Sequence, residues 1–249
     1  MNTSEEFELL KKENENLKNN IAIKSDLISI SAHQLRTSLS ALKWIFRMFL
    51  DKDMGSITRE QEALLQKAFQ SNERMITLVN DMLTLSHVED KAMAFKMSDT
   101  DMLSLVEETL FEFSGESHKK NIEIIFIKPD THTPKVYCDK EMIRVVIQNL
   151  IENAIKYSVS GDKVFCSIHT TEDTFELSIR DTGIGIPKEE QVNIFGKFFR
   201  AENAKEKESV GSGLGLYTVK NIIEKHSGSI KFESSTEGST FFVTLPLKS

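Results

Sequence analysis

The chain has 249 residues, of which 39% are hydrophobic and 28% are charged, and its formal net charge at pH 7 is −7. This composition is ordinary for a globular chain of one or two domains, and it excludes a collagen-like or wholly disordered protein. The acidic balance without a dense Lys/Arg block argues against a nucleic-acid partner, and two cysteines are too few for a disulfide framework, which favours a reducing compartment.

The first half of the chain is predicted to consist of long helices. The first 128 residues contain no proline, and apolar residues recur every seven positions from Ile21 to Phe49, as in a coiled-coil or bundle seam. Residues 1–24 are more polar and are predicted to be a helical coiled-coil linker. The most apolar stretch, residues 41–50, is far shorter than the ~20 residues of a membrane-spanning helix. We therefore expect no membrane span and a cytoplasmic chain, either free or the soluble part of a membrane receptor.

A second helix is predicted to begin after a turn at residues 53–56. Thr58, followed three residues later by Gln61, has the form of a capping box. Two helices joined by so short a loop form an antiparallel hairpin, here over residues 25–92. One hairpin buries only part of its apolar surface, so we expect a homodimer through these residues that forms a four-helix bundle. Trp44 is predicted to belong to the core. The predicted buried face of the second helix consists of Leu65, Ala68, Met75, Val79, Met82 and Ser86.

Residues 93–249 have a mixed pattern that predicts an α/β layer domain. Helices are predicted over residues 99–117, 139–157 and 213–226, with Asp139 as an N-cap. Alternating patterns predict strands over residues 122–127, 164–169, 175–180, 230–233 and 240–245. The polar residues 200–212 have almost nothing to bury and are predicted to form a mobile loop.

Five of the eleven glycines fall in two short segments. They read D-T-G-I-G-I-P (residues 181–187) and G-S-G-L-G-L (residues 211–216), and the second leads directly into a helix. Glycine lets a backbone approach phosphate closely, and a helix N-terminus favours anions. Each segment alone is equally consistent with an ordinary glycine turn between a strand and a helix.

A polar stripe follows one face of the helix predicted over residues 139–157. Asn149, Asn153, Lys156 and Tyr157 share this face, while neighbouring aliphatic residues already supply the buried side. Two amides and a lysine on one stripe suit Mg²⁺ and phosphate. A plain solvated helix face is the alternative.

Four segments taken together resemble the ATP-binding boxes of sensor histidine kinases, which belong to the Bergerat (GHKL) ATPase superfamily. They are N-L-I-E-N-A-I-K-Y-S (149–158), D-T-G-I-G-I-P, I-F-G-K-F-F-R (194–200) and G-S-G-L-G-L, and the closing strand S-T-F-F-V-T-L-P (239–246) also matches. The resemblance covers residues 25–249. It implies an α + α/β protein, in which an antiparallel helical hairpin precedes a Bergerat-type α/β sandwich. It also implies ATP and Mg²⁺ as ligands, an upstream sensor domain, and a response regulator receiver domain as partner.

The resemblance implies roles around the phosphates. Asn153 would bind Mg²⁺, Asn149 and Lys156 would contact phosphate, and Tyr157 would pack against the nucleotide. Arg200 would approach the γ-phosphate. Hydrolytic relatives carry a glutamate one turn before the Mg²⁺-binding asparagine, and because an amide cannot act as a general base, Asn149 favours transfer over hydrolysis.

Adenine recognition is implied at a second set of residues. Asp181 would accept a hydrogen bond from the adenine amino group, and Ser239 would help to hold adenine through water. Residues 200–212 would form the ATP lid. The glycine segments would complete the nucleotide site with Gly183, Gly185, Ile186, Gly211, Gly213, Leu214 and Gly215.

The segment S-A-H-Q-L-R-T-S-L (31–39) resembles the phosphoacceptor box of the same kinases, usually written H-E/D-L-R-T/N-P-L. At about 100° per residue, His33 lies roughly 180° from Leu42, so it is predicted to point away from the bundle seam. An unperturbed imidazole is mostly neutral at pH 7 and is therefore a competent nucleophile.

The box differs from the family pattern at two positions. Gln34 replaces the acidic residue that orients the histidine, and its oxygen can accept a hydrogen bond but cannot take up a proton. Ser38 replaces the usual proline, which predicts weaker bending of the helix. Thr37 matches a position associated with dephosphorylation of the partner, or it is a plain exposed threonine.

Together these features predict an ATP-dependent protein histidine kinase that autophosphorylates His33 and passes the phosphoryl group to a response regulator aspartate. One alternative is an ATP-binding pseudokinase or scaffold that signals through the conformation of its dimer. Another is a GHKL ATPase or a serine kinase acting on a protein partner.

Overall fold

The structure is a computed structural model that describes residues 11–12, 31–32, 34–89, 95–129, 133–208 and 211–247. The chain divides into two compact units, residues 1–93 and 94–249, which we describe separately. His33 and, apart from the helical residues 11 and 12, the predicted linker lie outside the described residues.

The first unit contains the helix α1 over residues 34–50 and the helix α2, Arg59–Glu89. The predicted capping box is confirmed, because the Thr58 N–H donates to Oε1 of Gln61 over 2.9 Å and the Gln61 N–H donates to Oγ1 of Thr58 over 3.2 Å. At Ser38 the helix α1 continues without a break, and the Ser38 hydroxyl donates to the carbonyl oxygen of Gln34.

The two helices pack through a narrow buried seam. Ala32 and Leu39 on the first helix pack with Val79 and Leu83 on α2, and all four are at most 9% exposed. Asn72 is also buried there, and its amide donates to the carbonyl oxygen of Leu39 over 2.9 Å. The seam therefore combines apolar packing with one buried polar link between the helices.

Several residues predicted to be core are exposed within the single chain. Trp44 is 63% exposed, and Met75 and Met82 are 44% and 37% exposed, so these predictions were wrong for one hairpin. The physical reason is that each helix turns a neighbouring stripe towards the other, with Leu39 buried on α1 and Val79 and Leu83 buried on α2. Leu35 and Leu42, from the seven-residue repeat, are likewise exposed, so one hairpin leaves part of its apolar surface uncovered. The residues of α2 that are buried are Asn72, Val79, Leu83, Leu85 and Val88.

The second unit is built on a five-stranded mixed sheet in the order β2-β4-β5-β7-β6. The strands β2 and β4 are parallel, and the remaining neighbours are antiparallel. A separate antiparallel pair joins β1 to β3. The strands are β1 Met97–Thr100, β2 Glu123–Ile127, β3 Val136–Asp139, β4 Lys163–Thr170, β5 Thr174–Asp181, β6 Ser229–Ser235 and β7 Gly238–Pro246.

Helices cover the sheet, and the central one, α5, contacts α3, α7 and strand β5. This arrangement of a helical hairpin and an α/β layer unit agrees with the predicted fold class. Within the described ranges, no helix is long and apolar enough to cross a membrane. The helices are α3 Met102–Glu112, α4 Ser114–Lys119, α5 Lys140–Tyr157, α6 Glu202–Lys207 and α7 Gly215–Lys225, with a 3-10 turn at Gln191–Asn193.

The predicted elements of this unit need three corrections. The helix predicted over residues 99–117 is instead β1, then α3 and α4, and it begins only after Asp101, whose carboxylate accepts from the Ser104 N–H. The short partner strand β3 was also missed. The predicted loop over residues 200–212 contains the short helix α6. In contrast, Asp139 caps α5 as predicted, because its Oδ1 accepts from the backbone N–H of Glu141 and of Met142.

Both cysteines are free and buried. Cys138 lies in β3 and Cys166 lies in β4. Burial raises the pKa of the Cys166 thiol to about 12, so this thiol stays protonated at neutral pH.

Candidate functional site

The helix α5 separates an apolar face from a polar face. Its buried face packs on the sheet and on α7, and it consists of Ile143, Val146, Ile147, Leu150, Ile151, Ala154 and Ile155. The four polar residues of the predicted stripe are half-buried on the other side. The Asn149 amide donates to the carbonyl oxygen of Val145 over 2.8 Å, whereas the Asn153 amide makes no hydrogen bond with any residue that the structure describes.

Both glycine segments pass close to this polar face. A Cβ atom at Gly215 would lie 2.6 Å from Oδ1 of Asn149, and one at Gly211 would lie 3.1 Å from Nζ of Lys156. A Cβ at Gly183, in the first segment, would lie 2.4 Å from the carbonyl oxygen of Tyr157. The fold therefore brings the polar stripe and both glycine segments to one place, and the backbone contact at Gly183 leaves no room for a larger residue there.

The other residues predicted in the second segment adopt conformations that suit a tight loop. Gly213 has φ +72°, and a Cβ there would lie 2.6 Å from the carbonyl carbon of Phe198. Leu214 is fully buried and precedes the first residue of α7. The loop thus enters the N-terminus of α7, whose backbone N–H groups favour an anion.

Asp181 stands at the end of strand β5 and is 7% exposed. Its Oδ1 accepts from the Gly183 N–H over 2.9 Å and from the Ser239 N–H over 3.2 Å. Within the described ranges, no residue donates a hydrogen bond to Oδ2 of Asp181. Burial raises the pKa of the Asp181 carboxyl, and the two N–H donors oppose this rise. One carboxylate oxygen is therefore fixed by the fold, and the other is available to a ligand.

Two residues that the sequence did not suggest hold the first glycine segment against β6. The Ile186 N–H donates to Oγ of Ser234 over 2.9 Å. The Gln191 amide donates to the carbonyl oxygens of Ile186 and Ser234, over 3.0 Å and 3.2 Å. Gly185, with φ +61°, passes so close that a Cβ would lie 1.6 Å from the carbonyl oxygen of Ser235. No local pattern marks Ser234 or Gln191, because their contacts depend on the position of a distant strand.

Arg200 is bound to the carbonyl oxygens of the predicted lid. Its guanidinium donates to the carbonyl oxygens of Ala204, over 3.0 Å, and of Glu208. Its Nε is buried and has no hydrogen-bond partner among the described residues. The Asn203 amide ties α6 to the first glycine segment, because it donates to the carbonyl oxygen of Gly185 over 2.9 Å.

Lys156 and Arg200 are the cations beside the polar stripe. Burial is the main cause that lowers the pKa of Lys156, and Arg200 lowers it further, whereas the nearby charges of Glu152 and Glu208 oppose this shift. Burial also raises the pKa of Tyr157. Two partly desolvated cations next to glycine loops and a helix N-terminus form a site for a polyanion.

The predicted phosphoacceptor region belongs to the other unit. Gln34 and Thr37 are exposed on α1, and Nε of Arg36 donates to Oδ1 of Asn80 over 2.9 Å, which links the two helices of the hairpin. His33 itself lies outside the described residues. In the part of the chain that the structure describes, no group of three His, Cys, Asp or Glu side chains could hold a metal ion.

Two family models match the chain. Residues 138–249 match the histidine kinase-, DNA gyrase B- and HSP90-like ATPase family, and residues 23–91 match the His Kinase A (phospho-acceptor) domain. The two matches fall in the two units separately, so each unit is similar to a different domain family.

Curated relatives are similar over nearly the whole chain. The adaptive-response sensory kinase SasA of Crocosphaera subtropica is 34% identical over 253 residues, which cover 99% of this chain and 65% of the relative. The sensor histidine kinase WalK of Bacillus subtilis is 32% identical over 90% of this chain and 36% of the relative. The chain therefore spans less than two thirds of the length of these relatives.

Solved structures of histidine kinases share the fold. The histidine kinase AdeS of Acinetobacter baumannii aligns with a TM-score of 0.62 and 27% identity, over 87% of this chain and 98% of that chain. Full-length ShkA in complex with AMPPNP aligns with a TM-score of 0.70 over 89% of this chain and 45% of that chain, and at 22% identity this likeness concerns the fold alone.

Proposed function

The chain belongs to the sensor histidine kinase family, and we propose that it is an ATP-dependent protein histidine kinase that phosphorylates itself on His33. The phosphoryl group then passes to an aspartate on the receiver domain of a response regulator. The observation that carries the proposal is the convergence of both glycine segments, Asp181 and the polar face of α5 on one site.

ATP fits this site with its adenine at Asp181 and its phosphates at Lys156. The free Oδ2 of Asp181 accepts from the adenine amino group, while Ser239 supports the same edge through water. Tyr157 packs against the nucleotide. The glycine segments contribute Gly183, Gly185, Ile186, Gly211, Gly213, Leu214 and Gly215, whose backbones line the ligand without side-chain obstruction.

The phosphates lie between the start of α7 and the cations of the site. Asn149 and Lys156 contact phosphate oxygens. Arg200 reaches the γ-phosphate once its guanidinium breaks its hydrogen bonds to the lid carbonyl oxygens of Ala204 and Glu208. It then forms stronger, charge-assisted hydrogen bonds to the phosphate. The lid is then linked to the nucleotide through a single guanidinium.

Asn153 fits a magnesium ion that accompanies the triphosphate. Mg²⁺ in phosphotransferases keeps several waters and takes one or two protein oxygens together with substrate phosphates, and the Asn153 amide has no other hydrogen-bond partner among the described residues. When bound, Mg²⁺ would neutralise phosphate charge.

Phosphoryl transfer to His33 needs positioning more than covalent chemistry by other side chains. The neutral imidazole nitrogen attacks the γ-phosphorus, a nitrogen–phosphorus bond forms, and the bond to the bridging oxygen breaks, so that ADP leaves with the electron pair. The Gln34 oxygen accepts a hydrogen bond from the other ring N–H and orients the ring. Asn149 cannot activate water as a base, which favours transfer over hydrolysis.

The proposed organisation follows from the two units. Residues 1–24 form a helical linker from an upstream sensor domain, residues 25–92 form the dimerisation and phosphoacceptor hairpin, and residues 93–249 form the ATP-binding domain. The apolar residues left exposed on one hairpin support a homodimer with a four-helix bundle. The receiver domain docks on the hairpin, where Thr37 assists removal of the phosphate from the partner.

Incubation with γ-labelled ATP tests the proposal. The wild-type chain is expected to acquire acid-labile, base-stable label that is lost in His33→Ala and in Asn153→Ala. His87→Ala is the matched control, because His87 is an exposed histidine in the last turn of α2 and should leave labelling intact. ATP binding without phosphohistidine would identify a pseudokinase, and steady phosphate release without labelled protein would identify an ATPase.

A further inference from the structure

Ser234 on β6 lies directly opposite Ser239 on β7. Its Oγ is 2.9 Å from the backbone nitrogen of Ile186, 3.1 Å from the carbonyl oxygen of Gly238 and 2.8 Å from Oγ of Ser239. A serine hydroxyl donates one hydrogen bond and accepts up to two, so these three contacts use its whole capacity.

Two of the three contacts allow only one direction. The Ile186 N–H must donate, and the Gly238 carbonyl oxygen must accept the only proton of Ser234. All three contacts are hydrogen bonds at once only when the Ser239 hydroxyl donates to Oγ of Ser234, and this is the arrangement that we take. Because Ser239 has thereby used its own proton, it can act towards any further group only as an acceptor.

Ser239 adjoins the carboxylate of Asp181, since its N–H donates to Oδ1 of that residue over 3.2 Å. Oδ2 of Asp181 and the Ser239 hydroxyl together present acceptors at this end of the site. A 6-aminopurine carries a donor at position 6, whereas a 6-oxopurine carries an acceptor there. Two acceptors without a donor match the amino group and leave an oxo group unpaired.

We propose that Ser234 is a specificity-determining positioning residue, which holds the hydroxyl proton of Ser239 and so favours a 6-aminopurine triphosphate over a 6-oxopurine triphosphate. Ser234 does not touch the nucleotide in this scheme. The inference rests on the proposed ATP site at Asp181 and deepens it. Without Ser234 the Ser239 hydroxyl rotates freely and donates to an oxo group, directly or through water.

The test compares the binding of ATP and ITP to the full chain by titration calorimetry, since these nucleotides differ at position 6 and at the adjoining N1 proton. Ser234→Ala is expected to reduce the preference for ATP by about three- to tenfold, the effect of one neutral hydrogen bond. Ser234→Thr keeps a hydroxyl and is expected to restore the preference.

Gln191→Leu is the matched control. It removes two hydrogen bonds to the same loop and strand but leaves the Ser239 proton in place. We expect it to weaken ATP and ITP binding equally, so that the ratio of the two dissociation constants is unchanged. A change in that ratio equal to the effect of Ser234→Ala would overturn the proposal, because it would indicate a general loosening of the loop.

Ser239→Ala provides a second line of evidence that does not depend on the folding of the Ser234 variant. It is expected to lose the same preference for ATP over ITP. Adding Ser234→Ala to it should change the ratio of the two dissociation constants no further. An unchanged ratio in Ser234→Ala or in Ser239→Ala overturns the inference. If the wild-type chain binds no ATP at all, the proposed function itself fails, and this is seen before any variant is compared.

Discussion

The backbone N–H of Asp139 donates a hydrogen bond to Nε2 of His226 over 3.0 Å, and Nδ1 of the same ring donates to the carbonyl oxygen of Ile222 over 2.7 Å. Because Nε2 accepts, the ring is neutral and carries its proton on Nδ1. The imidazole is 5% exposed and lies 4.9 Å from the ring centroid of Phe95. One neutral histidine thus connects the start of α5 to the end of α7.

His226 is expected to make the ATP-binding unit less stable as the pH falls. Burial lowers the pKa of His226 below its usual value of 6.5, although the nearby Asp139 charge opposes this. Below pH 6.5 the unfolded chain takes up a proton that the folded chain does not, so the free energy of unfolding decreases towards the folded pKa. His226→Gln keeps an acceptor for the Asp139 N–H and removes this titration. Thermal unfolding of both proteins is followed by circular dichroism between pH 7.5 and pH 5. The difference in melting temperature by which the wild type exceeds the variant should become smaller as the pH falls. A difference in melting temperature that stays constant across this pH range would contradict the argument.

Gly185→Ala is expected to destabilise the ATP-binding unit strongly. The residue has φ +61°, and a Cβ atom would lie 1.6 Å from the backbone carbonyl oxygen of Ser235, which cannot move without disturbing β6. We expect a loss of more than about 2 kcal/mol of unfolding free energy. Gly115→Ala is the control, because nothing lies within 4 Å of its added Cβ in α4, and helix propensity favours alanine. Chemical denaturation of both variants measures the difference, and equal stabilities would refute the steric account.

Sequence patterns predicted the elements whose signals are local. The capping box at Thr58 needs only residues three positions apart, and α5 follows from the Asp139 cap and a regular apolar stripe. The strands β1 and β3 have four residues each, and neither alternates regularly between buried and exposed residues. The polar helix α6 buries none of its residues and therefore has no apolar periodicity.

The site could be predicted in part for the same reason. The residues of the polar stripe lie within one short stretch of sequence, and so do the residues of each glycine segment. Each group could therefore be recognised from the sequence alone. Ser234 and Gln191 were missed because the hydrogen bonds that join β6 to the first glycine segment exist only once that strand is placed beside it. The exposure of Trp44 also escaped prediction, since the stripe that α1 buries is decided by its packing against α2.

Gln34→Glu is expected to accelerate autophosphorylation. Gln34 is exposed on α1, and a carboxylate at this position can take up the ring proton of the phosphoacceptor, which the amide cannot. We expect a rate increase of about tenfold or more, because a positioned general base typically contributes about 10²–10⁴-fold and Gln34 already orients the ring, and a new dependence on pH as the carboxylate becomes protonated. Initial rates with labelled ATP from pH 5 to pH 8 measure both. Gln34→Leu, which can neither accept a hydrogen bond nor a proton, should be slower than the wild type. Identical rates and pH profiles for Gln and Glu would show that the residue does not act on the ring.

Leu42→Glu is expected to dissociate the proposed homodimer, whereas Trp44→Glu is not. Both residues are exposed on one hairpin, at 41% and 63%, yet two positions along a helix place them about 200° apart. Leu42 belongs to the seven-residue stripe with Leu35, so a second hairpin would cover it, and burying an unpaired carboxylate there opposes association. We expect the dimer dissociation constant to rise at least tenfold, or by about 1.4 kcal/mol, in Leu42→Glu alone. Light scattering after size-exclusion chromatography measures the mass of each variant. A monomeric wild type would contradict the proposed homodimer, and dissociation by Trp44→Glu in place of Leu42→Glu would assign the dimer surface to a different face of the hairpin.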